Sequence, residues 1–101
     1  MSDKDLYVGL IRLHVLHHAA EEPVYGGWII EELRRHGYQI SAGTLYPMLH
    51  GLERKGYLDS RQEGKGKRAR RFYAITPKGQ AALAGAKEKV KELFGELFEA
   101  H

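Results

Sequence analysis

Three groups of residues in this chain of 101 could do chemistry. The first is the stretch from Arg61 to Arg71, RQEGKGKRARR, with six Lys/Arg against the single acid Glu63. Its balance is +5 where the whole chain carries +3, which leaves the rest at −2. Fixed cations concentrated in one place are the electrostatic footprint of a polyanion partner. The second group lies between 41 and 54. With Leu45, Leu49 and Leu52 on the buried face of a helix, Gly43, Pro47, His50 and Arg54 fall on the opposite face, with Tyr46 beside them. The hydroxyls of Ser41, Thr44 and Tyr46 and the free amides of a helix N-terminus suit phosphate oxygens. Gly43 lets backbone approach a phosphate closely, and His50 and Arg54 can donate to base edges or phosphates. The third group is His14 and His18, one helical turn apart, with His17, Glu21 and Glu22 nearby. Two imidazoles at that spacing could share a divalent metal. Val15, Leu16 and His17 stand between them where a zinc protease has a glutamate. The pair reads as surface or interface histidines, and no metal or cofactor is expected.

Catalysis finds no support. The chain has no cysteine, hence no thiolate ligand or thiol nucleophile, and no GxSxG. Gly64-Lys65-Gly66-Lys67 lacks the strand and helix that make a glycine loop a phosphate cradle. No apolar run approaches the ~18 residues of a membrane span, so no membrane partner is expected and a cytoplasmic location is.

These residues need elements to position them. Ser2 or Asp3 is placed to cap a first helix running to about Ala20. Leu6, Leu10 and Leu13 lie on one side of it and Tyr7, Ile11 and Val15 on another, so it asks for burial on most sides. A second helix is predicted from Tyr25 to His36 with Gly37 as its stop, Trp28 serving its packing. Ser41 caps a third that runs to about Lys55 and halts at Gly56. Tyr57 to Glu63 and Arg70 to Ile75 read as two strands of a hairpin around the glycine-bearing loop. Thr76-Pro77, a hydroxyl cap followed by proline at the first helical position, opens a last helix to about Ala100. Three helices closed by a basic hairpin make a winged helix-turn-helix. The fold class is thus mainly α with a small β-hairpin, with the winged domain at 1–76 and a long C-terminal dimerisation helix at 77–101. In this fold the third helix enters a major groove and Lys65, Lys67 and Arg68 at the wing tip reach the neighbouring backbone or minor groove. Pro47 is awkward there. It removes an amide and crowds the carbonyl of Gly43, so the helix is expected to start late or to distort in its first turn.

Along the last helix Leu83, Ala86, Val90, Leu93, Leu97 and Ala100 keep a and d positions, broadened by Phe94 and Phe98. Twenty-four helical residues would span ~36 Å, whereas a domain of this size has a radius of gyration of ~13 Å. Such a helix overreaches its own domain. Its stripe, notably Leu83, Val90, Leu93, Phe94, Leu97 and Phe98, is therefore expected to pack on the first and last helices of a second copy.

The string Ser41-Ala42-Gly43-Thr44-Leu45-Tyr46-Pro47, then Gly56-Tyr57-Leu58, then Arg71-Phe72-Tyr73-Ala74-Ile75-Thr76 with Gly79, resembles the PadR family of bacterial transcriptional regulators. Gly26 after an aromatic residue fits as well. The single terminal helix resembles the family's short subfamily. The resemblance implies a homodimer on double-stranded DNA, where a pseudo-palindromic operator follows from protein symmetry and repression is the expected outcome. It also implies a small-molecule effector held between subunits. Tyr7, Ile11, Val15 and Phe94 could line that pocket and serve equally well as dry interface. The competing reading is a winged-helix module whose basic hairpin serves protein or RNA assembly, distinguishable by the absence of sequence preference on duplex DNA.

Overall fold

Caps and glycines set the boundaries of the elements. In the computed structural model, which describes residues 4–99, α1 spans Lys4–Glu21, β1 Val24–Tyr25, α2 Gly26–Arg35, α3 Ala42–Arg54, β2 Leu58–Glu63, β3 Arg70–Ile75 and α4 Pro77–Phe98. The caps expected at Ser2 or Asp3, and Ala100, lie outside the described residues. Gly37 and Gly56 follow α2 and α3 with φ of +89° and +81°, the left-handed conformation that ends a helix and that only glycine adopts at little cost. Thr76 caps α4 by accepting from the Gly79 amide at 2.9 Å, and its hydroxyl also donates to the Gly56 carbonyl at 2.5 Å. One threonine thereby starts the last helix and ties it to the end of α3.

The sheet has one strand more than the hairpin. Val24 and Tyr25 pair antiparallel with Tyr73 and Phe72, giving the order β1-β3-β2 with β3 in the centre. The helix expected from Tyr25 accordingly begins at Gly26, since Tyr25 is extended and paired. Between β2 and β3 the register runs from Leu58 opposite Ile75 to Glu63 opposite Arg70, and a short 3₁₀ turn at Gly66–Arg68 closes the tip.

The core is built where α1, α2, α3 and the sheet meet. Ile11, Val15 and Leu16 of α1, Ile29 and Leu33 of α2, Leu45, Met48, Leu49 and Leu52 of α3, Leu58 and Tyr73 of the sheet and Leu83 of α4 are all buried. Three of these bear on the sequence reading. Ile11 and Val15, offered for an intersubunit pocket or a dry interface, lie in the protomer's own core, and Leu83, offered for a dimer interface, is buried there while also lining the space between α1 and α4. Periodicity reports that a helix face is buried; it does not report against what. Beyond Leu83 the stripe of α4 leaves the domain, and exposure climbs from 8% at Leu83 to 71% at Phe98.

Candidate nucleic-acid interface

The solvent face of α3 carries the expected strip. Ser41, Gly43, Tyr46, Pro47, His50 and Arg54 are exposed and Thr44 is half-buried, while Leu45, Met48, Leu49 and Leu52 take the opposite face inward. Ser41 Oγ accepts from the Thr44 amide at 3.3 Å and donates to the Thr44 hydroxyl at 3.3 Å, so the cap and the first turn form one polar unit. The amides of Ala42 and Gly43 then face outward at the positive end of the helix dipole. Arg54 enters no ion pair among the described residues; Glu53 instead accepts from Ser60 and Glu31 pairs with Arg34.

Pro47 corrects another expectation. The helix starts at Ala42, directly after its Ser41 cap, and continues through Pro47 to Arg54. The bond that proline cannot donate would have gone to the carbonyl of Gly43, and Gly43 is exposed, so water can take that acceptor. A missing donor on the wet side of the first turns costs far less than one in the core.

In the wing, the six basic residues divide into two sets of three. Arg61 pairs with Glu63 at 2.7 Å, Arg70 lies over the Tyr25 ring at 4.8 Å, and Arg71 donates to Ser60 Oγ at 3.1 Å. Lys65, Lys67 and Arg68 at the tip make no ion pair among the described residues and are exposed. Ser60 in turn donates to Glu53 Oε2 at 2.7 Å. The chain Arg71–Ser60–Glu53 links both wing strands to α3.

On the other side of α1, a groove of ≈ 570 Å³ runs between α1 and α4. Leu10, Leu13, Val90 and Phe94 form its apolar walls, and His14, His17, Lys87 and Lys91 supply its polar atoms. Of the pocket residues expected from the sequence, Phe94 lines it. Tyr7 stands beside it, edge-on to Tyr38 at 6.1 Å, and Ile11 and Val15 are behind it in the core. Val90, Leu93, Phe94, Leu97 and Phe98 are exposed, as are Leu6 and Leu10 of α1. Trp28 is half-buried with its ring edge-on to His18 at 5.3 Å, a packing role. His14 and His18 are joined by His36, which sequence reasoning missed because it belongs to another helix; burial and the neighbouring imidazoles hold His14 below the ordinary imidazole range. A hydrogen bond with His36 holds the Glu32 carboxyl below its usual range. No described helix is long and apolar enough to cross a membrane.

Comparison with known proteins places this geometry. Residues 15–85 match the transcriptional regulator PadR-like family. The chain is 52% identical over 87 residues to Transcriptional regulator Rv3488 of Mycobacterium tuberculosis, covering 86% of this chain and 81% of that protein. Among solved structures, a PadR family transcriptional regulator from Eggerthella lenta superposes with a TM-score of 0.82 at 32% identity, over 96% of this chain and 88% of that one. A PadR-like transcription factor from Bacteroides fragilis gives 0.82 at 24% identity, over 98% and 97%, and supports the fold. The match over most of the chain and the shared winged-helix fold show that the chain belongs to the PadR-like family, a family of transcriptional regulators rather than of enzymes.

Proposed function

We propose that the chain is a homodimeric repressor that binds a pseudo-palindromic operator, laying α3 in the major groove with the wing alongside, and that a small-molecule effector releases it. The observation that carries this reading is the pairing of the exposed α3 strip with three uncommitted wing cations, linked through Glu53, Ser60 and Arg71. Ser41, Gly43, Thr44 and Tyr46 serve as phosphate contacts, His50 and Arg54 reach further into the groove, and Lys65, Lys67 and Arg68 neutralise the flanking backbone.

The dimer follows from the apolar end of α4. Five large hydrophobic residues are exposed along one helix, with Leu6 and Leu10 exposed on α1, and apolar surface concentrated in this way marks an interaction site. In this reading residues 77–101 pack on the partner's α1 while 1–76 face DNA. Two-fold symmetry then calls for two half-sites one helical turn, ~34 Å, or a multiple of it apart. The α1/α4 groove falls within the ~300–1,000 Å³ of small-molecule sites and pairs apolar walls with a few polar groups, which suits an aromatic or amphiphilic effector.

Selection of bound duplexes from a random-sequence pool tests the reading. An enriched inverted repeat supports it, and a bound pool without sequence preference contradicts it.

A further inference from the structure

Three imidazoles meet between α1 and the end of α2. His14 and His18 stack with ring centroids 6.0 Å apart and 15° between their planes. His36, the C-cap of α2, brings its ring to 4.8 Å from His14 and 6.2 Å from His18. One nitrogen from each of the three lies within 4.8 Å of the others. Glu32, one turn before His36, faces the same space, with Oε2 3.1 Å from His36 Nε2 and 3.6 Å from His18 Nε2.

His18 separates this cluster from a solvated histidine patch. It is 9% exposed, and its Nε2 is buried without a hydrogen-bond partner. Its other nitrogen, Nδ1, faces Glu21 Oε1 at 3.7 Å. With the proton on Nδ1, the side that faces Glu21, His18 presents a lone pair at Nε2, and a carboxylate behind the protonated nitrogen is the arrangement found at metal-bound histidines. That lone pair then confronts the Glu32 carboxylate, acceptor against acceptor, unless a cation stands between them. A proton would satisfy one such pair; three converging ring nitrogens, with a carboxylate beside two of them, offer a larger cation several ligands at once.

We propose that His14, His18 and His36, with Glu32 as the acidic partner, form a binding site for a divalent transition metal of the zinc type. Imidazole nitrogen suits such ions, and three histidines leave a fourth position for the carboxylate or water. Tetrahedral ligands at 2.0–2.1 Å from zinc stand roughly 3.3 Å apart, so the site closes by shifts of about an ångström. His36 can supply that movement, since it is exposed at a helix end, and His14 opens the site to solvent through the α1/α4 groove. A bound ion would clamp the end of α2 to α1, five residues before the Ser41 cap of α3, which gives it a mechanical route to the DNA-facing helix. The site itself stands whether or not the operator reading does.

The test is titration of the chelator-stripped full chain with cobalt(II) and with zinc(II), followed by absorption spectroscopy and calorimetry. One ion per chain is expected, with the intense visible bands of four- or five-coordinate cobalt. His14→Gln and His36→Gln should each lower affinity at least about tenfold, because even loss of an outer-shell partner commonly does so. His17→Gln is the control: His17 and Glu21 form an alternative group with His18, and in this account its loss leaves affinity unchanged. The variants at positions 17 and 36 alter exposed side chains, so circular dichroism should show the wild-type fold. A cobalt spectrum of the six-coordinate aqua type, or affinity lost with His17 and kept without His14 and His36, would overturn the proposal.

Discussion

The ring of Tyr46 on α3 stands against the backbone of Gly26 at the start of α2: a Cβ built on Gly26 would lie 2.5 Å from Tyr46 Oη. Glycine at this position is what lets the recognition helix hold its tyrosine against the domain with 37% of the residue still exposed. A different glycine makes a useful contrast. A Cβ on Gly79 would run into the Tyr57 carbonyl and come within 2.8 Å of Ile75 Cγ1.

These two close approaches predict opposite outcomes for the same change. In Gly26→Ala the obstacle is the far end of a partly exposed side chain, which can swing outward, so stability should change by less than ~1 kcal/mol while DNA affinity falls. In Gly79→Ala the obstacle is backbone at the junction of wing and α4, so the cost should be ~1–3 kcal/mol or more. Urea unfolding of both variants checks the pair; equal losses would show that Tyr46 is held as firmly as the Tyr57 carbonyl.

On α3 the strip separates positioning from readout. Tyr46→Phe keeps the ring over Gly26 and removes one hydroxyl, so binding should weaken by ~0.5–1.5 kcal/mol, equally on operator and scrambled duplexes. His50 lies a turn further along the helix. His50→Ala should cost ~1–3 kcal/mol on operator and little on scrambled sequence. Anisotropy titrations with both duplexes decide it, and an equal loss on the two at His50 would make that residue a phosphate contact.

The wing tip is a question of salt. Replacing Lys65, Lys67 and Arg68 with alanine should weaken binding to every duplex alike. It should also flatten log K against log[salt] by ~0.9 for each phosphate no longer neutralised. An unchanged slope would show that the tip does not touch DNA.

Leu97 is 62% exposed in the single chain, so Leu97→Asp leaves the protomer's core intact. In a dimer the same carboxylate would be buried among apolar side chains, at a cost of several kcal/mol. Sedimentation at micromolar concentration should therefore show a folded monomer for the variant and a dimer for the wild type. A wild-type monomer would contradict the dimer reading.

Much of this was legible from residue order because the chain marks its own boundaries. Ser41, Thr76-Pro77, Gly37 and Gly56 are caps and stops, and each sits where its chemistry places it. The strip on α3 followed from three leucines at helical spacing. What escaped had no local signal. A two-residue strand at Val24–Tyr25 has no period to detect. Pro47 breaks a helix by rule, yet here its lost bond falls on an exposed carbonyl. That Ile11 and Val15 are covered by the protomer's own core was not legible, because one helix face looks the same whether its own domain or another chain covers it. His36 joins His14 and His18 across two helices, a proximity that no spacing along the sequence encodes.

The central claim is that two copies of this chain read one DNA sequence together. Its most direct measurement is titration of a labelled duplex taken from immediately upstream of the chain's own gene, beside a scrambled duplex, at near-physiological salt, with stoichiometry read at saturation. The account predicts two chains per duplex and a preference for the upstream DNA of ~10³ or more. Equal affinity for the two duplexes, or saturation by a single chain, would contradict it.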